Sequence, residues 1–315
     1  MVKKMKKKND EKEDEKSEKK NDEKEDEKND IKIYKRETLL KLPETEKKLL
    51  NFQESKILEN KFGINKIKEF DTVNLSHLYF FHYKCESVND TNWGCAWRSM
   101  QSLLKYQLSL SNQNKDNEIS FYNLFMKYGS KDKLIEIFKR MKEGQNTEEK
   151  TLNALRDKKF APFETDSGWA EPFISQLVLY DFGFEGELLL INNYSNNNYA
   201  PKEVFSRTLN FNEFKEELKI HFKQDNPGPI IIDDSFVSLS IIGIQFNESN
   251  KNMGLLIMDP HAIDKPETGL YIIILNDSGD CLQIIPNKYV LASLAVSFSH
   301  NKPWMAYFPK KKENV

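Results

Sequence analysis

The sequence predicts an α+β fold in which helices pack on one mainly antiparallel sheet, and three observations carry that prediction. Apolar residues recur at the helical period in the segments before Asn226-Pro227-Gly228-Pro229. Beyond that turn the period changes, and Ile230–Ile232, Ser238–Phe246, Gly254–Asp259 and Leu270–Leu275 are β-rich runs separated by short turn-like segments. Residues 31–315 are about 26% charged, an ordinary globular value, and hold nearly all the Phe, Tyr, Trp, Leu and Ile, enough for a sizeable core.

Taken in chain order, residues 1–30 form a mixed-charge low-complexity tail with 11 Lys and 12 Asp or Glu. The octapeptide Asn-Asp-Glu-Lys-Glu-Asp-Glu-Lys occurs at 9–16 and again at 21–28. Such a repeat has no apolar face to bury and is expected to stay disordered or to form a transient solvated helix. Residues 31–70 read as a linker and helical lead-in, with Leu49, Leu50, Phe52, Ile57 and Leu58 as one apolar helical stripe after Pro43. The folded domain is placed at 71–315. Its aromatic run Tyr79–Tyr83 predicts a strand, and Asn89-Asp90-Thr91-Asn92 is a dense turn and cap cluster. From Cys95 the positions Ala96, Met100, Leu103, Leu104 and Leu108 follow the helical period, with Arg98, Gln101 and Lys105 between them. Asp116–Glu149 reads as two charged amphipathic helices. A loop around Pro162, a helix from Pro172 to Tyr180, a polar loop at Asn192–Tyr199 and a helix over Phe211–Phe222 follow.

Charge and cysteine content exclude several functions. Lys and Arg total 47 against 49 Asp and Glu, a balance that argues against nucleic-acid binding driven by net positive charge. Three cysteines, Cys85, Cys95 and Cys281, cannot staple a chain of 315 residues, and an odd count fits a reducing compartment. The start MVKKMKKK has no apolar stretch behind it, so no signal peptide is expected, and no apolar run reaches the ~18 residues of a membrane span. Triplets such as Asn193-Tyr194-Ser195 are then chance products of high Asn content. The basic run Lys3–Lys8 has a nuclear signal or an electrostatic contact as its functional reading and a solubilising extension as its plain one. The expectation is an intracellular soluble protein, cytoplasmic, with the nucleus or the cytosolic face of the endoplasmic reticulum as alternatives.

Thr91-Asn92-Trp93-Gly94-Cys95-Ala96-Trp97-Arg98-Ser99 is the sharpest feature of the chain. It puts Cys95 at or just inside a helix N-terminus, where unpaired N–H groups and the helix dipole stabilise a thiolate. Gly94 permits close approach to the sulfur. Taken alone, a buried helix cysteine is the plain alternative. A base is offered by Leu255-Leu256-Ile257-Met258-Asp259-Pro260-His261, an apolar strand with Asp259 and His261 at its end. Residues i and i+2 of an extended segment share a face, and Pro260 favours the extended form at Asp259. A carboxylate beside an imidazole is the orienting pair of nucleophilic catalysis, although Asp-Pro after a strand is also a common turn. His221 lies in a Lys-rich helix and His300 in a polar turn. His77, His82, Cys85 and Cys95 could be drawn as a zinc site, but their spacing matches no compact Cys/His pattern. Cys85 and Cys281 read as packing residues. The chain has no phosphate-cradling Gly-rich loop and no G-x-S-x-G elbow, and no cofactor or metal is expected.

Together these segments resemble the ubiquitin-fold-modifier-specific (Ufm-specific) cysteine proteases. The resemblance rests on Trp93–Ser99, on Tyr83 twelve residues before Cys95, on Asp259-Pro260-His261, and on Gly228-Pro229-Ile230-Ile231 upstream. Gly168-Trp169-Ala170-Glu171 and Pro303–Pro309 resemble further family segments, so the likeness covers roughly residues 75–310 in scattered blocks. It implies a papain-like cysteine protease fold and cleavage after the C-terminal glycine of a ubiquitin-fold modifier, in its precursor or in its conjugates. It also implies that Cys95 is the nucleophile, His261 the base and acid, Asp259 the orienting carboxylate, and Tyr83 with the Cys95 N–H the oxyanion donors. The chain departs from the family at Asp233-Asp234-Ser235, where relatives carry glycines; these side chains either narrow the approach to the site or are solvated turn residues, the default reading. The stretch between Cys95 and Asp259 looks longer than usual, with extra charge around Lys127–Arg156. The nearest alternative is an autophagin, a protease of autophagy modifiers, which the Tyr83-to-Cys95 and the thirty-residue Pro229-to-Asp259 spacings disfavour. A third reading is a decayed protease that binds the modifier without cleaving it. Oligomeric state is not legible.

Overall fold

A computed structural model describes residues 50–52, 56–86, 88–91, 93–143, 170, 172–191, 204–234, 237–263, 265–286 and 303–310. The tail, the loops around Pro162 and Asn192–Tyr199, Trp169, Ser235 and His300 lie outside these residues. Within the described part of the lead-in, Leu50–Asn51 (β1) is a short strand rather than helix, Phe52 is helical, and helices run over Ile57–Phe62 (α1) and Ile64–Ile67 (α2). Phe52, Leu58, Ile67 and Phe70 are buried in the same core as the central strands.

Asp71–Thr72 (β2) and Tyr79–Phe80 (β3) are two-residue strands. β3 pairs antiparallel with β1, Leu50 opposite Phe80. The aromatic run is therefore strand only at its start, and Tyr83 sits in a turn whose Lys84 has φ 62. Cys95–Leu110 (α3) is the longest helix. Ala96, Met100, Leu103, Leu104 and Leu108 are buried as the period predicts, but so are Arg98 and Gln101, because Phe121–Tyr128 (α4) covers that side. Trp93 and Trp97 pack their rings against Phe121 and Phe125 of α4 at 5.6–6.3 Å. Lys131–Met141 (α5) is the second of the two amphipathic helices, and Pro172–Asp181 (α6) is buried along most of its length.

Gly186–Ile191 (β4) and Arg207–Leu209 (β5) precede Phe211–Phe222 (α7). α7 starts at a reciprocal cap in which Asn210 Oδ1 accepts from the Glu213 N–H and Glu213 Oε2 accepts from the Asn210 N–H. Then come Ile230–Asp233 (β6), Ser238–Asn247 (β7), Asn252–Met258 (β8), Leu270–Leu275 (β9), Cys281–Ile285 (β10) and Trp304–Pro309 (β11). The sheet runs β10-β9-β8-β7-β6-β11-β4-β5, with β2 beside β7. Its pairings are antiparallel except β4 with β5. The predicted α+β class and mainly antiparallel sheet are thus what the chain forms. α3 packs on β6 and β7, and α6 packs on β4, β6 and β11. α7 sets Phe214 and His221 edge-on against Phe308 of β11.

One strand position corrects the sequence reading. Asp233 is no solvated turn residue: it closes β6 between Met305 of β11 and Ser238 of β7 and is 4% exposed. Asp234 does make the turn, its Oδ1 accepting from the Val237 N–H at 2.9 Å. Among the described residues no helix is long and apolar enough to cross a membrane.

Candidate active site

The site forms where the end of β8 meets the start of α3. β8 lies between β7 and β9, so Asp259, the next residue, leaves the middle of the sheet rather than its rim. Its N–H donates to the Gly269 carbonyl at 2.7 Å. A Cβ on Gly269 would lie 2.3 Å from the Asp259 oxygen, so only glycine lets the two backbones approach this closely. Pro260 then turns the chain, and the Asp259 carboxylate folds over the turn. Its Oδ1 accepts from the His261 N–H at 3.0 Å and pairs with His261 Nδ1 at 2.5 Å. Its Oδ2 accepts from the Tyr271 hydroxyl at 3.1 Å. The carboxylate is buried, and these donors replace water around it.

With Nδ1 committed to Asp259, the His261 Nε2 is left for the Cys95 thiol, with which the ring also interacts. Burial opposes a charge on this imidazole, but hydrogen bonds to Asp259 and Cys95 outweigh it and push its pKa from 6.5 up to about 10. The ring is therefore a cation paired with the Asp259 carboxylate and in contact with the Cys95 sulfur. Cys95 opens α3, so by helix geometry its N–H and the next ones have no partner within the helix. The first turn carries no acidic residue to compete with a thiolate for the positive end of the helix dipole. Gly94, the N-cap, contributes no side chain; a Cβ there would fall 2.6 Å from the Asp90 Cβ.

Tyr83 completes the group. Its ring meets His261 edge-on at 5.0 Å, and its N–H donates to the Pro260 carbonyl at 2.9 Å. The hydroxyl is buried beside the Cys95 sulfur. Burial, and then the neighbouring Cys95 sulfur, push its pKa far above 10, so it stays a protonated donor beside the sulfur. The structure thus brings Tyr83, Cys95, Asp259 and His261 together: a thiol at a helix start, a charged imidazole, the carboxylate paired with it, and a buried hydroxyl beside the sulfur.

Residues around this group escape a reading of the sequence. Tyr271 reaches Asp259 through the β8–β9 register, with Ile257 opposite Tyr271. Its only sequence signal is an aromatic near the start of a strand. Asp90 and Arg98 are both fully buried and ion-paired, Arg98 Nε to Asp90 Oδ2 at 2.5 Å. Arg98 also pairs with Glu86, donates to Gln101 Oε1 at 2.9 Å, and stacks 4.2 Å above the Phe121 ring.

The remaining candidates do not converge. His77 pairs with Ser109 Oγ, and His82 Nδ1 with the Tyr83 carbonyl. His221 Nε2 donates to the Gly228 carbonyl at 2.7 Å. Among the described residues no group of three or more His, Cys, Asp or Glu is placed to hold a metal ion, so His77, His82, Cys85 and Cys95 do not form a zinc site. Cys85 is buried, and its thiol is pushed up to about 11 by that burial; Cys281 lies half-buried on the edge strand β10.

The model of peptidase family C78 matches residues 69–146 and 178–278, more than half of the chain. A Ufm1-specific protease from Caenorhabditis elegans is 24% identical over 195 residues, 62% of this chain and 26% of that protein. Ufm1-specific protease 2 of Gallus gallus is 24% identical over 203 residues, 64% of this chain and 34% of that protein. The chain thus spans a quarter to a third of the length of these curated relatives. Among solved structures, the crystal structure of UfSP from C. elegans aligns with a TM-score of 0.45 at 18% identity, covering 78% of this chain and 35% of that one.

Proposed function

The chain belongs to peptidase family C78, and from that premise we propose that it is a thiol protease cleaving after the C-terminal glycine of a ubiquitin-fold modifier. The observation that carries this reading is His261, charged and held between the Asp259 carboxylate and the Cys95 sulfur. Both 24%-identical relatives are Ufm1-specific proteases by name, which supports Ufm1 and its conjugates as the substrate class. Maturation of a precursor and release from a conjugated lysine break an acyl bond at the same glycine.

In the proposed reaction the Cys95 thiolate adds to the glycine carbonyl carbon. The oxygen gains the electron pair and lies against two donors, the Tyr83 hydroxyl and the Cys95 N–H. Donors of this kind are each worth on the order of 10²–10³ in rate. As the C–N bond breaks, His261 Nε2 gives its proton to the leaving amine, and the modifier remains as a thioester on Cys95. The neutral imidazole then takes a proton from water, whose oxygen attacks the thioester. Hydrolysis frees the glycine carboxylate and restores the ion pair.

The test compares fluorogenic C-terminal amides of a ubiquitin-fold modifier, an autophagy modifier and ubiquitin. Turnover of the first alone, lost in Cys95→Ala while binding persists, is the expected result. Turnover of the autophagy modifier alone would move the chain to the autophagin activity. Activity retained in Cys95→Ala would overturn the mechanism.

A further inference from the structure

We propose that Asp90 is a positioning residue that sets the place of the Tyr83 hydroxyl, by locking the Lys84 backbone to the start of the nucleophile helix. The role rests on the peptidase reading above. The Tyr83 ring meets His261 edge-on at 5.0 Å and sets its buried hydroxyl beside the Cys95 sulfur. The backbone that carries the ring is held on both sides. On one side the Tyr83 N–H donates to the Pro260 carbonyl at 2.9 Å, which ties the residue to the turn carrying His261. On the other side the Lys84 N–H donates to Asp90 Oδ1 at 2.8 Å.

The remaining acceptors of Asp90 point to α3. Oδ2 takes the Nε–H of Arg98, one turn inside the helix, at 2.5 Å. The Asp90 carbonyl takes the N–H groups of Gly94 at 2.8 Å and Trp93 at 3.2 Å. The side chain packs so closely on Gly94 that a Cβ there would meet it at 2.6 Å. Asp90, fully buried, thus joins the residue after Tyr83 to α3, its carboxylate binding Lys84 and Arg98 and its carbonyl binding Trp93 and Gly94 just before Cys95. Lys84 has φ 62, a left-handed conformation that a non-glycine residue holds only when its surroundings impose it. Glu86 ends the same turn, but its carboxylate bonds Arg98, Gln101 and the Phe121 N–H, which makes it the control for the charge balance of Arg98.

Asp90→Asn keeps the shape but cannot accept from both Lys84 and Arg98, since one of its two atoms becomes a donor. The experiment measures kcat and KM on the fluorogenic amide of the ubiquitin-fold modifier. It uses the full chain, Asp90→Asn, Tyr83→Phe, the double variant, and Glu86→Gln. In the Tyr83 wild-type background, Asp90→Asn is expected to lower kcat on the order of tenfold to a hundredfold at unchanged KM. In the Tyr83→Phe background it is expected to cost almost nothing further, since the group it positions is already gone. Glu86→Gln is expected to lower Tm without the Tyr83-dependent loss. The same loss from Asp90→Asn in both backgrounds, or no loss at all, would overturn the role. If Asp90→Asn does not fold, Asp90→Glu replaces it. That variant keeps the charge beside Arg98 but has no room next to Gly94 to hold Lys84 as well, so wild-type kcat in Asp90→Glu would also overturn the role. A full chain inert toward the amide would overturn the peptidase reading and this role with it; a loss independent of Tyr83 in an active chain overturns this role alone.

Discussion

The Asp259 carboxylate acts on His261 in two ways. It fixes which nitrogen faces Cys95, and it keeps the ring charged against the cost of burial. Asp259→Asn removes the second effect and disturbs the first, and the precedent for such a change is a loss on the order of 10⁴ in kcat with the fold intact. The same change should alter the pH profile. In the proposed reaction His261 is the acid for the leaving amine, so activity should be lost as pH rises through its pKa of about 10. Without the Asp259 charge that pKa is lower, and the alkaline limb of kcat/KM should move to lower pH. An unmoved limb would separate Asp259 from the ring that titrates. Tyr271→Phe takes one donor from the carboxylate and leaves the other two. It should cost about 1 kcal/mol, or roughly fivefold in kcat. At this scale the sequence was informative where chemistry is local. Cys95, Asp259 and His261 lie in two short motifs, whereas Tyr271 and Asp90 act through contacts set by strand register and by the burial of a charge.

The elements carry the site in two pieces, and each has a weak point. The β8 end depends on Gly269, whose hydrogen atom faces the Asp259 carbonyl where a methyl group would lie 2.3 Å away. Gly269→Ala should destabilise the fold by about 1–3 kcal/mol through overpacking and lower kcat as well, because the backbone that moves carries Asp259. A thermal melt beside a rate measurement checks both. The α3 end depends on Arg98, which is fully buried and pairs with the buried Asp90 and the partly exposed Glu86. Arg98→Met leaves two carboxylates facing each other and should cost about 3–5 kcal/mol. The helical period made α3 and α7 readable, and β6 to β9 stood out as β-branched runs between turns. β4 did not: Leu188-Leu189-Leu190-Ile191 is buried on both faces, so it has no alternation, and its leucines suit a helix equally well. Arg98 and Gln101 read as the solvent side of α3 because nothing local to the helix announces α4 above them.

At the scale of the whole molecule, a mainly antiparallel sheet holds Asp259 and His261 at the end of a central strand, and one helix brings Cys95 to them. The order of elements, helices first and then consecutive strands, made this architecture predictable. The closing strand β11 was legible only by resemblance, and its place between β6 and β4 follows from long-range pairing that no local pattern encodes. The tail of 1–30 has no apolar face to dock, by its sequence. Deleting it should leave kcat/KM on a soluble modifier amide unchanged; a large loss would make the tail part of the substrate site. The central claim is that Cys95 is the nucleophile toward a ubiquitin-fold modifier, and the most direct test is covalent capture. The full chain is mixed with a ubiquitin-fold modifier bearing an electrophile at its C-terminus, and the adduct is mapped by peptide mass spectrometry. One modifier attached at Cys95, and none in Cys95→Ala, is the predicted result. An adduct on Cys85 or Cys281, or none at all from a chain that still binds the modifier, would contradict it.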